Sequence, residues 1–82
     1  MAGTKLKASE ILIRHVEGIG GGFELDDFIS YRATPLEQEK AVEPLMRIHE
    51  QFRSAAYPIG TLNPEAQPAI RQLARNLASE GL

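Results

Sequence analysis

The sequence predicts an all-α domain of three helices, on three observations. Two segments open with a capping residue followed by proline, apolar residues then recur at helical spacing, and strand alternation fits the first third worse than a helix does. The clearest element begins at Thr34-Pro35-Leu36-Glu37, where a threonine N-cap, proline at the first helical position and glutamate at N3 make a capping box. Ala41, Leu45, Ile48, Phe52 and Ala56 then draw one apolar stripe, with Val42 and Ala55 beside it, predicting a helix over 35–56. Pro44 lies within this stretch. It has no amide hydrogen and its ring crowds the preceding turn, so a kink is expected there.

A second element opens at Asn63-Pro64-Glu65, a cap and a proline with an acid in the first turn. Ala66, Ile70, Leu73, Ala74, Leu77 and Ala78 mark its apolar face, Pro68 delays its regular part, and Gly81 is a stop, giving a helix over 64–80. Half of that face is alanine, so it favours helix and admits a close neighbour. Between the two helices, Tyr57-Pro58-Ile59-Gly60 reads as a turn.

In the first third, Ala8, Leu12, Val16 and Ile19 keep helical spacing, with Ile11 and His15 alongside, which predicts a helix over 8–18. Residues 26–31 suit a short helical turn capped by Asp26, with Phe28 and Ile29 pointing inward. The alternative is an α+β fold, with a hairpin of strands 10–17 and 23–31 around the Gly18–Gly22 turn. The expected core is Leu12, Val16, Phe28, Ile29, Leu45, Ile48, Phe52, Ile70, Leu73, Ala74 and Leu77, and the stripes of the two capped helices are expected to meet.

The 82 residues suit one small helical domain, 1–82, with 1–7 disordered. At 43% apolar and 24% charged residues the chain is globular in composition, and its core is small because short chains bury only about 60% of their unfolded surface. It has no cysteine, hence neither disulfides nor thiolate metal sites. Its apolar runs fall far short of the ~20 residues that span a bilayer, and no signal-peptide core follows Lys5 and Lys7. The plain expectation is a soluble, cytoplasmic protein that uses no membrane.

Charge is unevenly spread. Glu24, Asp26, Asp27, Glu37, Glu39 and Glu43 outnumber Arg32 and Lys40 between residues 23 and 43, a balance of −4, while the flanking segments are each +1. That is a poor footprint for nucleic acid and a reasonable one for a basic protein partner.

The stretch Gly18-Ile19-Gly20-Gly21-Gly22 is not a nucleotide loop. A dinucleotide fingerprint needs glycine where Phe23 stands, no Gly-Lys-Ser/Thr follows, and the acids just downstream oppose phosphate. It reads as a helix stop with positive-φ glycine. The acids after it lack the alternating array of a calcium loop. His15 and Glu17 form His-x-Glu, and His49 precedes Glu50; two histidines so far apart bind one metal only if the fold makes them converge. Each lies beside an apolar stripe, where a partly buried, hydrogen-bonded histidine is the usual occupant. Arg47, Arg53, Arg71 and Arg75 flank the two main helices, a pattern that ordinarily solvates a helix face. No nucleophile or acid–base motif is present, and no cofactor is implied.

These observations point to a non-enzymatic protein-binding or regulatory module with a surface formed by Glu24, Asp26, Asp27, Glu37, Glu39 and Glu43. An immunity or antitoxin-like protein that blocks a basic active site is one specific case, and a homodimer that buries leftover apolar stripe is a further expectation. The alternative is a small metal-binding or enzymatic domain using His15, Glu17, Asp26 and Asp27.

Overall fold

The computed structural model describes residues 6–19, 23–54 and 63–82, and every regular element among these is helical. Helix α1 spans Ala8–Val16. The Glu10 carboxylate accepts the Lys7 amide at 2.8 Å, closing half of a capping box at its start. Ala8, Ile11, Leu12 and Val16 form its buried stripe. The helix stops at Gly18, whose φ of +74° lets the Ile19 amide donate to Arg14 O at 2.8 Å and the Gly18 amide to His15 O at 3.2 Å. This is a Schellman motif, the outcome expected of the first glycine of the run.

Helix α2 begins as Phe23–Asp27 and continues as a wide, π-type turn over Phe28–Arg32, in which the Ala33 amide reaches back to Phe28 O at 2.9 Å. With α1 and α2 both helical, the α+β hairpin is not needed. The expected turn at 26–31 is corrected in extent, and Asp26 is not its cap. The helix starts three residues earlier, so Asp26 sits exposed within the first turns, where an acid still complements the helix dipole. Phe28 is buried as expected and Ile29 half-buried. Ala33 and Thr34 are extended, as a residue preceding proline must be, and this ends the helix.

Helix α3 runs through 35–51. Thr34 Oγ1 accepts the Glu37 amide at 3.2 Å and Glu37 Oε1 accepts the Thr34 amide at 2.9 Å, the capping box read from the sequence. After Pro35–Glu37, the segment Gln38–Val42 is again π-wound, with the Glu43 amide donating to Gln38 O, before Glu43–Gln51 resumes α geometry. The irregularity expected at Pro44 therefore appears just ahead of it. Proline offers no amide to the Lys40 carbonyl and would press on it, and a wider turn relieves both problems. The helix stops at Gln51, short of the expected 56: the Arg53 amide tightens onto Glu50 O at 3.4 Å, and the Phe52 carbonyl accepts from Asn63 Nδ2 at 3.0 Å. The expected turn at 57–60 and residues 1–5 of the expected disordered start lie outside the described residues; Leu6 packs on the core and Lys7 precedes α1 directly.

Helix α4 spans 64–79, a 3-10 turn at Pro64–Ala66 followed by Gln67–Ser79. The Asn63 carboxamide oxygen accepts the Glu65 amide at 2.9 Å, so this one side chain caps α4 and holds the end of α3. A second Schellman motif closes it: Gly81 has φ of +79°, the Gly81 amide donates to Ala78 O at 3.1 Å and the Leu82 amide to Leu77 O at 2.9 Å.

Helix α4 packs most extensively on α1, and also on α3, so the alanine-rich face finds the N-terminal helix as its main neighbour. Ala66, Ile70, Ala74 and Leu77 from α4 meet Ala8, Ile11, Leu12 and Val16, with Phe28, Ala41, Val42 and Leu45 completing the buried core. The Ser9 amide donates to Leu82 O at 3.2 Å, fastening the two ends of the described chain. Of the expected core, Ile29, Ile48, Phe52 and Leu73 lie at its margin, partly buried.

Replacing Asn63 by alanine removes a cap and a bond to Phe52, and urea denaturation should show a loss of about 1–2 kcal/mol; Asn63→Asp, which keeps the cap acceptor, should lose less. Gly18→Ala should cost about 1 kcal/mol in the same assay. No atom lies within 4 Å of the added methyl, so the cost is that of the backbone conformation alone.

Candidate functional site

The six acids of the expected contact surface do not act alike. Glu24 Oε1 accepts from Arg14 Nε at 2.8 Å, linking α2 to α1 in a partly shielded ion pair. Glu37 is buried in its capping box. Asp27 and Glu43 are exposed and sit 3.7 Å from Arg32 and Arg47, distances at which a solvated pair contributes ~0–1 kcal/mol. Asp26 and Glu39 are exposed with no charged partner among the described residues. Four carboxylates thus remain on the surface, and two serve the fold.

The set His15, Glu17, Asp26 and Asp27 is not brought together. Glu17 faces Arg71 at 3.6 Å and Asp27 faces Arg32, and among the described residues no three acidic or imidazole groups form a metal-binding cluster. Glu17 and Asp27 are thus each paired with an arginine, and Asp26 is exposed. The structure does bring His15 of α1 and His49 of α3 together, with ring centroids 5.8 Å apart and planes tilted by 48°. Both rings are half-buried, and His15 Nε2 is buried without a hydrogen-bond partner. Burial lowers the pKa of each, and the neighbouring His49 lowers that of His15 further. The sequence hinted at this pair only by placing each histidine beside an apolar stripe.

One surface feature escaped the sequence reading. A groove of about 510 Å³ runs along the outer side of the α1–α4 contact. Ile13, Ile19, Ala74 and Ala78 give it an apolar floor, and Arg14 and Arg75 stand at its edges. Ile19, the residue after the Gly18 stop, is 46% exposed there. Among the described residues Arg75 bonds the Gln72 carboxamide oxygen, at 2.9 Å, whereas Arg14 is held by Glu24. Glu10 and Glu17 also line the groove, and the Arg14–Glu24 pair ties helix α2 to one of its lining residues. The signal in sequence was present but faint: Ile13 lies at the flank of the α1 stripe, where it is only partly buried against the core.

Compared with family models, curated proteins and solved structures, the chain finds no match. No described helix is long and apolar enough to cross a membrane.

The two histidines make folding sensitive to pH. Their folded pKa values lie below the ordinary value of 6.5, and no carboxylate offsets the burial of either ring. Between the folded and unfolded pKa values the unfolded chain binds more protons, so stability is full above about pH 6.5 and falls as pH drops toward the folded values. The urea midpoint should decline from pH 7.5 to 5.5, and His15→Asn should flatten that decline.

Proposed function

We propose that this chain is a small protein-binding module that takes an amphipathic, basic segment of a partner protein into the α1–α4 groove. The observation that carries the reading is the groove itself, an apolar floor on the best-packed pair of helices with Glu10 and Glu17 among its lining residues. The small exposed side chain of Ala78 lets a partner helix approach closely, in the manner of helix-in-groove recognition, while Asp26 and Asp27, on the helix that Glu24 ties to Arg14, offer charge to its basic residues. Glu39 and Glu43 extend the negative field along α3, which accelerates encounter more than it deepens affinity.

Two sets of substitutions test this in pulldowns from the native host. Ala78→Glu, which fills and charges the floor, is expected to abolish capture. The combination Asp26→Asn, Asp27→Asn, Glu39→Gln and Glu43→Gln is expected to slow association and reduce its dependence on salt while leaving capture in place at low ionic strength. Glu37 is left intact because its carboxylate caps α3. An unaltered set of captured proteins across both variants would overturn the reading. Self-association through the same floor is the competing occupancy; a dimer by light scattering that dissociates in Ala78→Glu, with no other protein captured, would replace the partner by a second copy.

A further inference from the structure

A buried nitrogen without a partner is uncommon in folded proteins, because leaving such a group unsatisfied costs about 1–3 kcal/mol, and each instance calls for a reason. His15 Nε2 is such an atom, and its ring lies beside a second imidazole, that of His49, 34 residues on in sequence and from a different helix. Two imidazoles bound to one ion, with metal–nitrogen bonds of ~2.0–2.1 Å, hold their ring centroids up to about 6.4 Å apart. The observed 5.8 Å falls within that reach, at a tilt that keeps the rings from stacking.

We propose that His15 and His49 form a two-histidine site for a divalent transition metal that ties α1 to α3. The donor set selects the class of ion. Neutral imidazoles with no carboxylate among them suit zinc, nickel or copper, and give magnesium or calcium nothing they prefer. Burial keeps both rings in the neutral form that ligates, and the charged groups nearby are already matched elsewhere: Arg14 with Glu24, Glu17 with Arg71, Glu50 with Arg53. With two protein donors, the remaining coordination positions fall to solvent or to a group brought by another molecule, which makes the site exchangeable and not a closed structural centre.

The position in the fold gives such an ion leverage. Helices α1 and α3 have little direct packing on each other; both rest on α4. An ion shared by His15 and His49 adds a direct link between them, so binding must raise the stability of the fold. The ion must also be displaced as pH falls, because the imidazoles take up protons and protonated imidazole does not ligate.

Titrating zinc chloride into the purified full chain by calorimetry at pH 7.5 tests the site, with thermal unfolding followed in parallel. One ion per chain is expected, with a rise in melting temperature and loss of binding toward pH 5.5. His15→Ala and His49→Ala are each expected to weaken binding about tenfold or more, since either leaves one of two linked donors. Should a variant fold poorly, nickel titration of the unsubstituted chain decides: paramagnetic broadening should begin at the His15 and His49 ring protons. Binding that survives both substitutions, broadening centred on Asp26 and Asp27, or no saturable binding at millimolar zinc would each overturn the proposal. The test is independent of the groove, so loss of partner capture in Ala78→Glu bears only on the earlier reading.

Discussion

The rest of the structure depends on the closure of the two ends of the chain, α1 lying directly against α4. A domain of this size has one small core, and these helices supply most of it. Their close approach follows from side-chain size. Ala8 on one helix and Ala66 and Ala74 on the other are almost fully buried, so Ile11, Leu12, Ile70 and Leu77 can interlock between them. Helices α2 and α3 then need to contribute only Phe28 and the Ala41–Val42–Leu45 patch to seal what remains. Because this contact joins residues some sixty positions apart, its loop-closure cost falls early in folding and is recovered only when the small-residue seam forms.

Helix punctuation was the most legible part of the sequence. Thr34-Pro35-Leu36-Glu37 and Asn63-Pro64-Glu65 give their caps where the residue types require them, and Gly18 and Gly81 take the positive φ that a helix stop demands. These are local events, decided by neighbours three or four residues away, so one sequence suffices to read them. The ends that were misread depend on distant residues. Helix α3 is shorter than its apolar periodicity, and at its end the Phe52 carbonyl accepts from Asn63, eleven residues further on. Helix α2 is longer than its stripe, and Glu24 in its first turn is paired with Arg14 of α1.

The candidate site was less legible for the same reason. Charge counting located an acidic segment between residues 23 and 43 but gave every carboxylate equal weight. In the fold, Glu24 and Glu37 turn inward to structural duties, and the surface that remains is smaller and more sharply divided. The groove and the histidine pair belong to tertiary geometry: Ile13 and Ala78 become one floor, and His15 and His49 one pair, only when helices far apart in sequence meet.

The π-wound segment ahead of Pro44 has a consequence for how α3 is built. A wide turn carries one residue more than an α turn, so it rotates everything before it relative to everything after it. The capping box at Thr34 and Glu37 and the inward faces of Ala41 and Leu45 are therefore held in phase by a single surplus residue. A proline inside a helix is usually regarded as damage to be accommodated. Here it acts as a ratchet: with Pro44 in place the α register is blocked at Lys40, and the two halves of the helix are locked at the one rotation that serves both the cap and the core.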